Sequence, residues 1–374
     1  MLGGYIKMAI ELFPFADYAK SECERVKNAL PQKKAGDVRF AFVTDLHYKF
    51  ISSMRQSVSN IIHTLNELNE IQKIDFICFG GDNVGNYPNS REEHIEMMRE
   101  LAALLRHSEV PVIFVQGNHD DNSIHGEIAP ESHRCRTGFE VPDEVQYDIL
   151  FSQAEQYENY HPAGDKKLYG FMDIEDSDTR IVLLNSSDMP RIVDENGIMK
   201  YNQQWDFGYT GEQLAWLCEK ALKNAPTNVI FMQHACTKVD DFFSEDLENL
   251  DSLNNILNSF VKGEKIHVSR IHEDFGFDIH ADFSGKTHRI PTKIAGHCHV
   301  DRAYTDNDGF LNITTMLAGR KNSGMGKGDN NVLYEREPLS ATESSMDIFT
   351  FSPSDYTLTA TRYGSGEDRT FTLK

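Results

Sequence analysis

The chain has 374 residues, with 37 Lys and Arg against 58 Asp and Glu, so its formal net charge is −21 when histidine is neutral. A surface this acidic repels nucleic acid and anionic lipid, which disfavours polyanion binding as the main task. No apolar run approaches the roughly 18 residues that cross a bilayer. Lys7 and Glu11 interrupt the N-terminal stretch, so we expect neither a membrane span nor a signal peptide.

Cysteine usage predicts free thiols. The chain has 6 scattered cysteines, and none belongs to a Cys-x-x-Cys pair that would indicate a zinc or redox site. Scattered thiols in a chain of this length fit a reducing compartment better than a disulfide framework. We therefore expect a cytoplasmic protein.

The first predicted elements alternate between strand and helix. Apolar, β-branched runs predict buried strands over residues 38–43, 74–79 and 110–115. Apolar residues at helical spacing predict helices over 55–72 and 91–107. This β-α-β-α-β order indicates a layered α/β fold with right-handed crossovers.

The pattern loosens after residue 120. Residues 121–165 are rich in turn formers and charge, which predicts a loop with one short helix over 143–153. A later helix begins at Thr210, where Thr210 and Gln213 have capping-box spacing. The remaining predictions are a helix over 244–261 and strands over 168–173, 180–185, 228–233, 293–295, 311–317, 346–351 and 356–363.

Apolar strands spread over the whole length favour one domain with insertions. We predict an N-terminal helical segment at 1–36, in which 15–30 form a docked amphipathic helix. The main domain spans 37–320, with insertions at about 121–165 and 235–292. Residues 321–374 form a C-terminal β extension that packs on the same domain.

Several predicted strands end at residue types that bind metals. The carboxyl ends of strands in an open α/β sheet border one crevice, so we expect these residues to meet there. The segments in question are Asp45-Leu46-His47, Gly81-Asp82-Asn83, Gly117-Asn118-His119-Asp120, His234 and Gly296-His297-Cys298-His299.

Each of these signals has an ordinary explanation when taken alone. In a chain with 15 His, a pair such as His297 and His299 can arise by chance. An Asp at a strand end is more often a cap or turn residue, and an isolated His234 would first be interpreted as a core histidine held by hydrogen bonds. Their coincidence at successive strand ends favours one metal site.

In this order, the segments resemble the D-x-H, G-D-x, G-N-H-[DE], H and G-H-x-H blocks of the calcineurin-like metallophosphoesterase family. The resemblance covers about residues 38–317 and implies a four-layer αββα sandwich that holds two divalent metal ions. The ligands that it implies are Asp45, His47 and His299 for the first metal, Asn118, His234 and His297 for the second, and Asp82 as a bridge between both.

The ligand types agree with the resemblance. Imidazole and carboxylate groups suit Mn, Fe or Zn better than Ca, and the absence of thiolate ligands argues against a closed structural zinc site. The resemblance implies that a metal-bridging hydroxide cleaves a phosphoester while His119 assists the leaving group as a general acid. Asp120 either orients His119 or caps a turn.

Departures from the family's branches narrow the expected substrate. After Asp82, protein phosphatases carry Asp and Arg at the positions that here hold Gly85 and Asn86, and purple acid phosphatases carry a ligand Tyr at the first of them. The chain is more similar to the bacterial phosphodiesterase branch, which handles cyclic nucleotides and related small diesters. We therefore predict a phosphodiesterase that acts on a small phosphate ester.

Three alternatives stay open: a phosphomonoesterase using the same site, a nuclease, and a non-catalytic metal-binding scaffold. We expect substrate choice to depend on the insertions, where Arg134 or Arg289 is a candidate phosphate clamp, although a surface charge is the more ordinary role. Residues 324–328 are rich in glycine but complete no phosphate-binding motif, which predicts a flexible loop. The sequence does not indicate the oligomeric state.

Overall fold

The structure of the chain, a computed structural model, describes residues 10–49, 51–85, 90–236, 246–319, 334 and 336–373. The glycine-rich run 324–328 lies outside these residues. Helices α1 to α6 are Asp17–Ala29, Ser52–Ile71, Arg91–Leu105, Asp143–Ile149, Gly211–Trp216 and Leu250–Lys262. Strands β1 to β19 are Val38–Val43, Phe76–Gly80, Val112–Val115, Cys135–Arg136, Tyr160–Pro162, Gly170–Asp173, Thr179–Leu183, Ile198–Met199, Phe207–Gly208, Asn228–Met232, Leu247–Glu248, Lys265–Arg270, Phe277–Asp282, Lys293–Ala295, Arg302–Thr305, Leu311–Thr314, Ser345–Ser352, Thr357–Gly364 and Arg369–Thr372.

Two mixed sheets form the centre of the fold. The first has six strands in the order β19-β18-β17-β1-β2-β3, and the second has seven in the order β15-β16-β14-β10-β7-β6-β5. The pairs β1–β2 and β2–β3 are parallel, as are the pairs that join β7, β10, β14 and β16. Their carboxyl ends therefore lie at common edges of the two sheets.

Alternation along β1 explains the layers. Phe40 and Phe42 belong to the apolar cluster shared by the two sheets, whereas Ala41 and Val43 belong to the cluster formed with the helices of the first sheet. The Phe40 ring stacks on Phe76 of β2, with centroids 5.0 Å apart. A strand buried on both faces has to be apolar throughout, which is why the apolar run 38–43 predicted this strand correctly.

Helices cover the outer face of each sheet. The apolar stripes of α1, α2 and α3 pack on the first sheet, and those of α5 and α6 pack on the second. The layer order is thus helix, sheet, sheet, helix, which confirms the predicted αββα sandwich. None of the helices in the described ranges combines the length and apolar character needed to cross a membrane.

Side-chain hydrogen bonds mark the starts of two helices, and the one at Thr210 was predicted. The hydroxyls of Ser90 and Thr210 each accept a hydrogen bond, of 3.2 Å, from the backbone N–H three residues later, so they cap α3 and α5. The helix predicted over 244–261 is wrong at its start, because Leu247 and Glu248 form β11 beside β9 and α6 begins only at Leu250. Tertiary pairing overrides the helical pattern there.

The C-terminal strands complete the first sheet, because β17 pairs antiparallel with β1. Two buried guanidinium groups tie them to the second sheet. Arg362 Nη2 lies 2.7 Å from Asp301 Oδ1 and 3.1 Å from Asp347 Oδ2, and Arg369 also contacts both carboxylates. Asp301 follows His299 by two residues, so this network fixes the turn that carries a predicted ligand. The predicted domain boundaries stay a prediction.

Replacing Arg362 by methionine should strongly destabilise the fold. The guanidinium is almost fully buried, and its loss leaves two buried carboxylates with one cation between them. Breaking a buried ion pair in this way costs about 3–5 kcal/mol of unfolding free energy. Denaturant unfolding of the variant measures the loss. Lys34→Met, which removes an exposed ion pair with Asp355, is the control and should leave the midpoint unchanged. Equal midpoints for the two variants would contradict the prediction.

Candidate metal centre

The strand-end side chains predicted from the sequence meet in one place. They follow β1, β2, β3, β10 and β14, at the edge where the two sheets present their carboxyl ends. Contacts of 3.0–3.7 Å connect all of the predicted ligands: Asp45, His47, Asp82, Asn118, His234, His297 and His299. The sequence prediction of their proximity is therefore met by the geometry.

Four of these residues form a first cluster. One ligand atom from each of Asp45, His47, Asp82 and His299 lies within 4.8 Å of all the others. His299 Nε2 is 3.3 Å from His47 Nε2 and 3.0 Å from Asp45 Oδ1. Ligands at about 2.1 Å from a tetrahedral ion are roughly 3.4 Å apart, so these atoms have close to the spacing of an ion's ligand shell.

A second cluster lies beside the first. The Asn118 Oδ1 atom is 3.1 Å from His234 Nε2 and also 3.1 Å from His297 Nδ1. The amide nitrogen of Asn118 donates to the backbone carbonyl of Gln204, at 3.2 Å, and this contact turns the amide oxygen toward the two histidines. The amide oxygen adds a ligand without adding negative charge.

Asp82 stands between the two clusters. Its Oδ2 atom is 3.7 Å from His47 Nε2 in the first, whereas its Oδ1 atom is 3.3 Å from His234 Nε2 in the second. The backbone N–H of His119 donates to Oδ1 at 2.8 Å and holds the carboxylate in place. A carboxylate whose two oxygens face different clusters can bridge two ions, so the residues present fit a pair of ions.

The backbone at these positions is unusual. Five of the residues are in the left-handed region: Asp45, His47, Asp82, His297 and His299, with φ of 54°, 47°, 51°, 66° and 57°. Such conformations cost free energy and persist only where the surroundings enforce them. Neighbouring strand-end loops do so here, because Asp45 N–H donates to Gly81 O and His47 N–H donates to Asp82 O, both at 2.9 Å.

Glycines of the motif blocks allow this close packing. Gly81 has φ +94°, and a Cβ at that position would overlap the imidazole of His234. A Cβ at Gly296 would overlap Thr44 Oγ1 and the Asp45 carboxylate. The side chains can converge only because no Cβ occupies these two positions.

Hydrogen bonds outside the clusters orient the side chains. His234 Nδ1 donates to the carbonyl of Gly80 at 2.9 Å, which leaves Nε2 turned toward the second cluster. The Oδ2 atom of Asp45 accepts from the His297 N–H at 3.0 Å and from the Thr44 hydroxyl at 2.9 Å, so Oδ1 faces His299. Outer contacts of this kind fix ring orientation and tautomer in metal sites.

Charges in the cluster shift the pKa values strongly. Burial opposes a charged imidazolium at His234, but Asp82 and Asp45 outweigh it and raise the pKa of His234 to about 10. Burial likewise opposes the carboxylate of Asp82, yet His119 and His234 hold the pKa of Asp82 well below its usual range. Burial keeps the pKa of His47 well below normal, so that ring is neutral and able to bind an ion.

Ion binding should therefore release a proton from His234. In the ion-free site this imidazole is protonated at neutral pH, and a metal ligand has to be deprotonated. We expect about one proton per chain to be released near pH 7, and less as the pH approaches 10, where the ion-free ring loses its proton. Calorimetric titrations in buffers of different ionisation enthalpy measure this number. Binding without proton release at pH 7 would contradict the prediction.

His119 lies at the rim of the site. Its side chain is 21% exposed, its Nε2 atom is 3.6 Å from Asp82 Oδ2, and its ring meets that of His47 edge-on with centroids 4.9 Å apart. Gln204 Nε2 is 3.4 Å from His119 Nε2. The imidazole of His119 is therefore partly open to solvent and lies beside Asp82 and His47.

The carboxylate of Asp120 binds neighbouring loops, whereas a residue that orients His119 would contact its imidazole. Its carboxylate accepts hydrogen bonds from Gly117 N–H and Asn83 Nδ2, both at 2.8 Å, and from Val84 N–H at 3.1 Å. It thereby joins the loop after β2 to the loop after β3. Burial and the charge of Asp82 raise the pKa of Asp120 to about 7. The geometry favours the turn-binding alternative, and the catalytic assignment of Asp120 stays a prediction.

Gln204 and Phe207 were not predicted to belong to the site. Gln204 is buried against His119 and Asn118, and the ring of Phe207 packs on His297 with centroids 5.1 Å apart. No motif spacing marks these positions, although Gln204 ends a polar run at 202–204. Their role emerges only from tertiary packing.

The candidate phosphate clamps have other partners. Arg134 pairs with Asp194 at 2.8 Å, and the guanidinium of Arg289 lies 4.8 Å above the ring of Tyr356. Both contacts match the more ordinary surface role.

Two of the cysteines lie closer together than the scattered sequence positions suggest. The side chains of Cys236 and Cys298 meet, although the two residues are 62 positions apart in the chain. They meet because the turns that carry His234 and His297 lie side by side. Cys298 is buried in a small cluster with Cys236, Ala295 and Val300. The free cysteines among the described residues are Cys23, Cys78, Cys135 and Cys218, all buried.

Comparison with known proteins identifies the class. The family model of the calcineurin-like phosphoesterases matches residues 38–301, well over half of the chain. The chain therefore belongs to the calcineurin-like phosphoesterases, which are metal-dependent hydrolases that use two divalent ions. No curated protein matches this sequence.

A solved structure shares the fold, and two others are less similar. A dimetal phosphatase from Danio rerio superposes with a TM-score of 0.56 at 16% identity, over 90% of this chain and 99% of that one. GAP50, titled the anchor in the inner membrane complex of Plasmodium, gives a TM-score of 0.46 at 11% identity, over 90% of this chain and 89% of that one. The NAD nucleotidase of Haemophilus influenzae gives a TM-score of 0.39 at 12% identity, over 91% of this chain and 51% of that one.

Proposed function

We propose that this phosphoesterase hydrolyses small phosphodiesters, with Asp45, His47, Asp82 and His299 holding one ion and Asn118, His234 and His297 holding the other beside Asp82. The observation that carries this proposal is the position of Asp82, whose two oxygens face separate clusters. Divalent ions in such a centre supply Lewis-acid chemistry, which polarises the phosphoryl group and acidifies a bound water.

The chain's own groups account for binding and proton transfer. Two divalent ions bring more positive charge than the carboxylates of Asp45 and Asp82 cancel, so the pocket attracts an anionic phosphoryl group despite the charge of −21. His119 is assigned as the group that donates a proton from Nε2 to the leaving oxygen. Its partial exposure lets the proton return from solvent.

The charge of the chain favours a diester over a monoester. At neutral pH a phosphodiester carries one negative charge and a monoester close to two, so the acidic surface repels the monoester more strongly. Gly85 occupies the position where protein phosphatases carry an Asp and purple acid phosphatases a Tyr, which supports the phosphodiesterase branch.

Paired aryl substrates test the preference. With Mn²⁺, Fe²⁺ and Zn²⁺ supplied separately, we expect a higher kcat/KM for bis(4-nitrophenyl) phosphate than for 4-nitrophenyl phosphate. A higher value for the monoester would replace the proposal with a phosphomonoesterase. Cleavage of a single-stranded oligonucleotide, with binding that weakens steeply as salt rises, would instead indicate a nuclease.

A further inference from the structure

A hairpin on the surface brings together a second group of metal-binding side chains. Strands β12 and β13 pair antiparallel within the predicted insertion 235–292, and His267 lies directly opposite His280. Asp278 precedes His280 by two residues and so lies on the same face of β13. All three side chains are exposed to solvent: His267 by 53%, His280 by 72% and Asp278 by 70%.

Their ligand atoms converge on one point. The two imidazole rings are nearly parallel, with an interplanar angle of 8° and centroids 3.9 Å apart. Asp278 Oδ1 is 2.6 Å from His267 Nε2 and 3.7 Å from His280 Nε2. Each of the three residues offers an atom within 4.8 Å of the other two. Both rings thus turn the same nitrogen toward one carboxylate oxygen.

This spacing suits a transition-metal ion. Ligands at about 2.1 Å from a tetrahedral ion are roughly 3.4 Å apart. This value lies between the two observed N–O separations, so small side-chain rotations would bring the three atoms to the distances that an ion needs. Two imidazoles and a carboxylate are the ligand types that Zn²⁺, Ni²⁺ and Cu²⁺ accept. Two protonated rings stacked at this distance would repel each other, whereas a divalent ion attracts both neutral rings and the carboxylate.

We propose that His267, Asp278 and His280 form a surface site for a divalent transition-metal ion, separate from the dimetal centre. The three protein ligands leave further coordination positions to water, so the ion exchanges with solvent. An ion held by both strands clamps β12 to β13, because His267 and His280 lie on opposite strands. The site is independent of the phosphoesterase chemistry proposed above.

Metal counting tests the site without reference to activity. Full-length wild type and His267→Ala are dialysed to equilibrium against the same free Zn²⁺, and bound zinc is measured by elemental analysis. We expect wild type to retain one more ion per chain than His267→Ala, and Asp278→Asn to lose most of that ion. The matched control is His161→Ala, which removes an exposed histidine 3.8 Å from Asp173. This variant should bind the same number of zinc ions per chain as wild type.

A spectroscopic measurement identifies the ligands. With one Cu²⁺ added per chain beyond the filled dimetal centre, electron paramagnetic resonance should show hyperfine coupling to two nitrogens in wild type, and this signal should be lost in His267→Ala and His280→Ala. The residues are exposed, and circular dichroism confirms that the variants are folded. Equal zinc counts for wild type and His267→Ala, or a copper spectrum unchanged in both variants, would overturn the proposal.

Discussion

Replacing Asp82 by alanine is expected to abolish phosphoester hydrolysis and to release both ions of the dimetal centre. Asp82 faces His47 through one oxygen and His234 through the other, so its loss removes a ligand from each cluster. Loss of a single general acid lowers the rate by about 10²–10⁴-fold. The fall in kcat/KM for Asp82→Ala should be larger, because the ligands of both ions act as a unit and losing one of them disables the whole centre. Metal content after dialysis and initial rates on bis(4-nitrophenyl) phosphate measure the two effects.

Asp37→Ala is the matched control for this variant. Asp37 is also a buried carboxylate, but it precedes β1 and accepts a hydrogen bond from Lys34 N–H, at the opposite end of the strand from Asp45. It should keep the metal content and the kcat/KM of wild type. Retention of both ions and of activity by Asp82→Ala would refute the bridging role.

Replacing His119 by glutamine should separate catalysis from ion binding. His119 lies beside the clusters, with Nε2 at 3.6 Å from Asp82, and is not assigned as a ligand. We expect kcat to fall by about 10²–10⁴-fold while the metal content stays that of wild type. The fall should be larger for an ester with an alkoxide leaving group than for one with 4-nitrophenolate, because 4-nitrophenolate leaves without being protonated.

The leaving-group comparison distinguishes proton donation from a structural role. A merely structural histidine would slow both substrates by the same factor. His161→Gln, at an exposed position of β5, serves as the control and should match wild type. An equal loss on both substrates, or a loss of ions in His119→Gln, would contradict the assignment of His119 as the proton donor.

Strand positions near the centre could be predicted because burial on both faces leaves little choice of residue. All six residues of β1 are buried, and the predicted and observed bounds of that strand coincide. The cap at Thr210 could be predicted for a similar reason, since a local hydrogen bond decides where a helix begins. The strand-end position of the ligands then followed from parallel pairing.

Features that depend on distant partners could not be predicted. Leu247 was assigned to a helix, but pairing with Phe207 forms β11 instead. The hairpin of β12 and β13 alternates exposed with partly buried residues and has few apolar ones, so it gave no clear strand signal. Gln204 reaches His119 through a loop whose path is set by packing alone.

The geometry of the candidate site could not be predicted from the sequence either. Motif blocks indicated which residue types gather, but not the left-handed backbone of Asp45 or His297, nor the turn of Asp120 toward Asn83. The meeting of Cys236 and Cys298 has the same cause, because it depends on how two strand-end turns lie against each other. Side-chain direction in such loops is decided by neighbours that are remote in the chain.

The central claim is that ions held by the two clusters at Asp82 are required for phosphoester hydrolysis. The most direct measurement is a titration of chelator-treated protein with a divalent ion, in which bound ions and hydrolysis of bis(4-nitrophenyl) phosphate are followed together. We predict that hydrolysis rises with loading and is complete when wild type holds two ions more than Asp82→Ala. Wild type that reaches this excess and hydrolyses no phosphoester with Mn²⁺, Fe²⁺ or Zn²⁺ would contradict the claim.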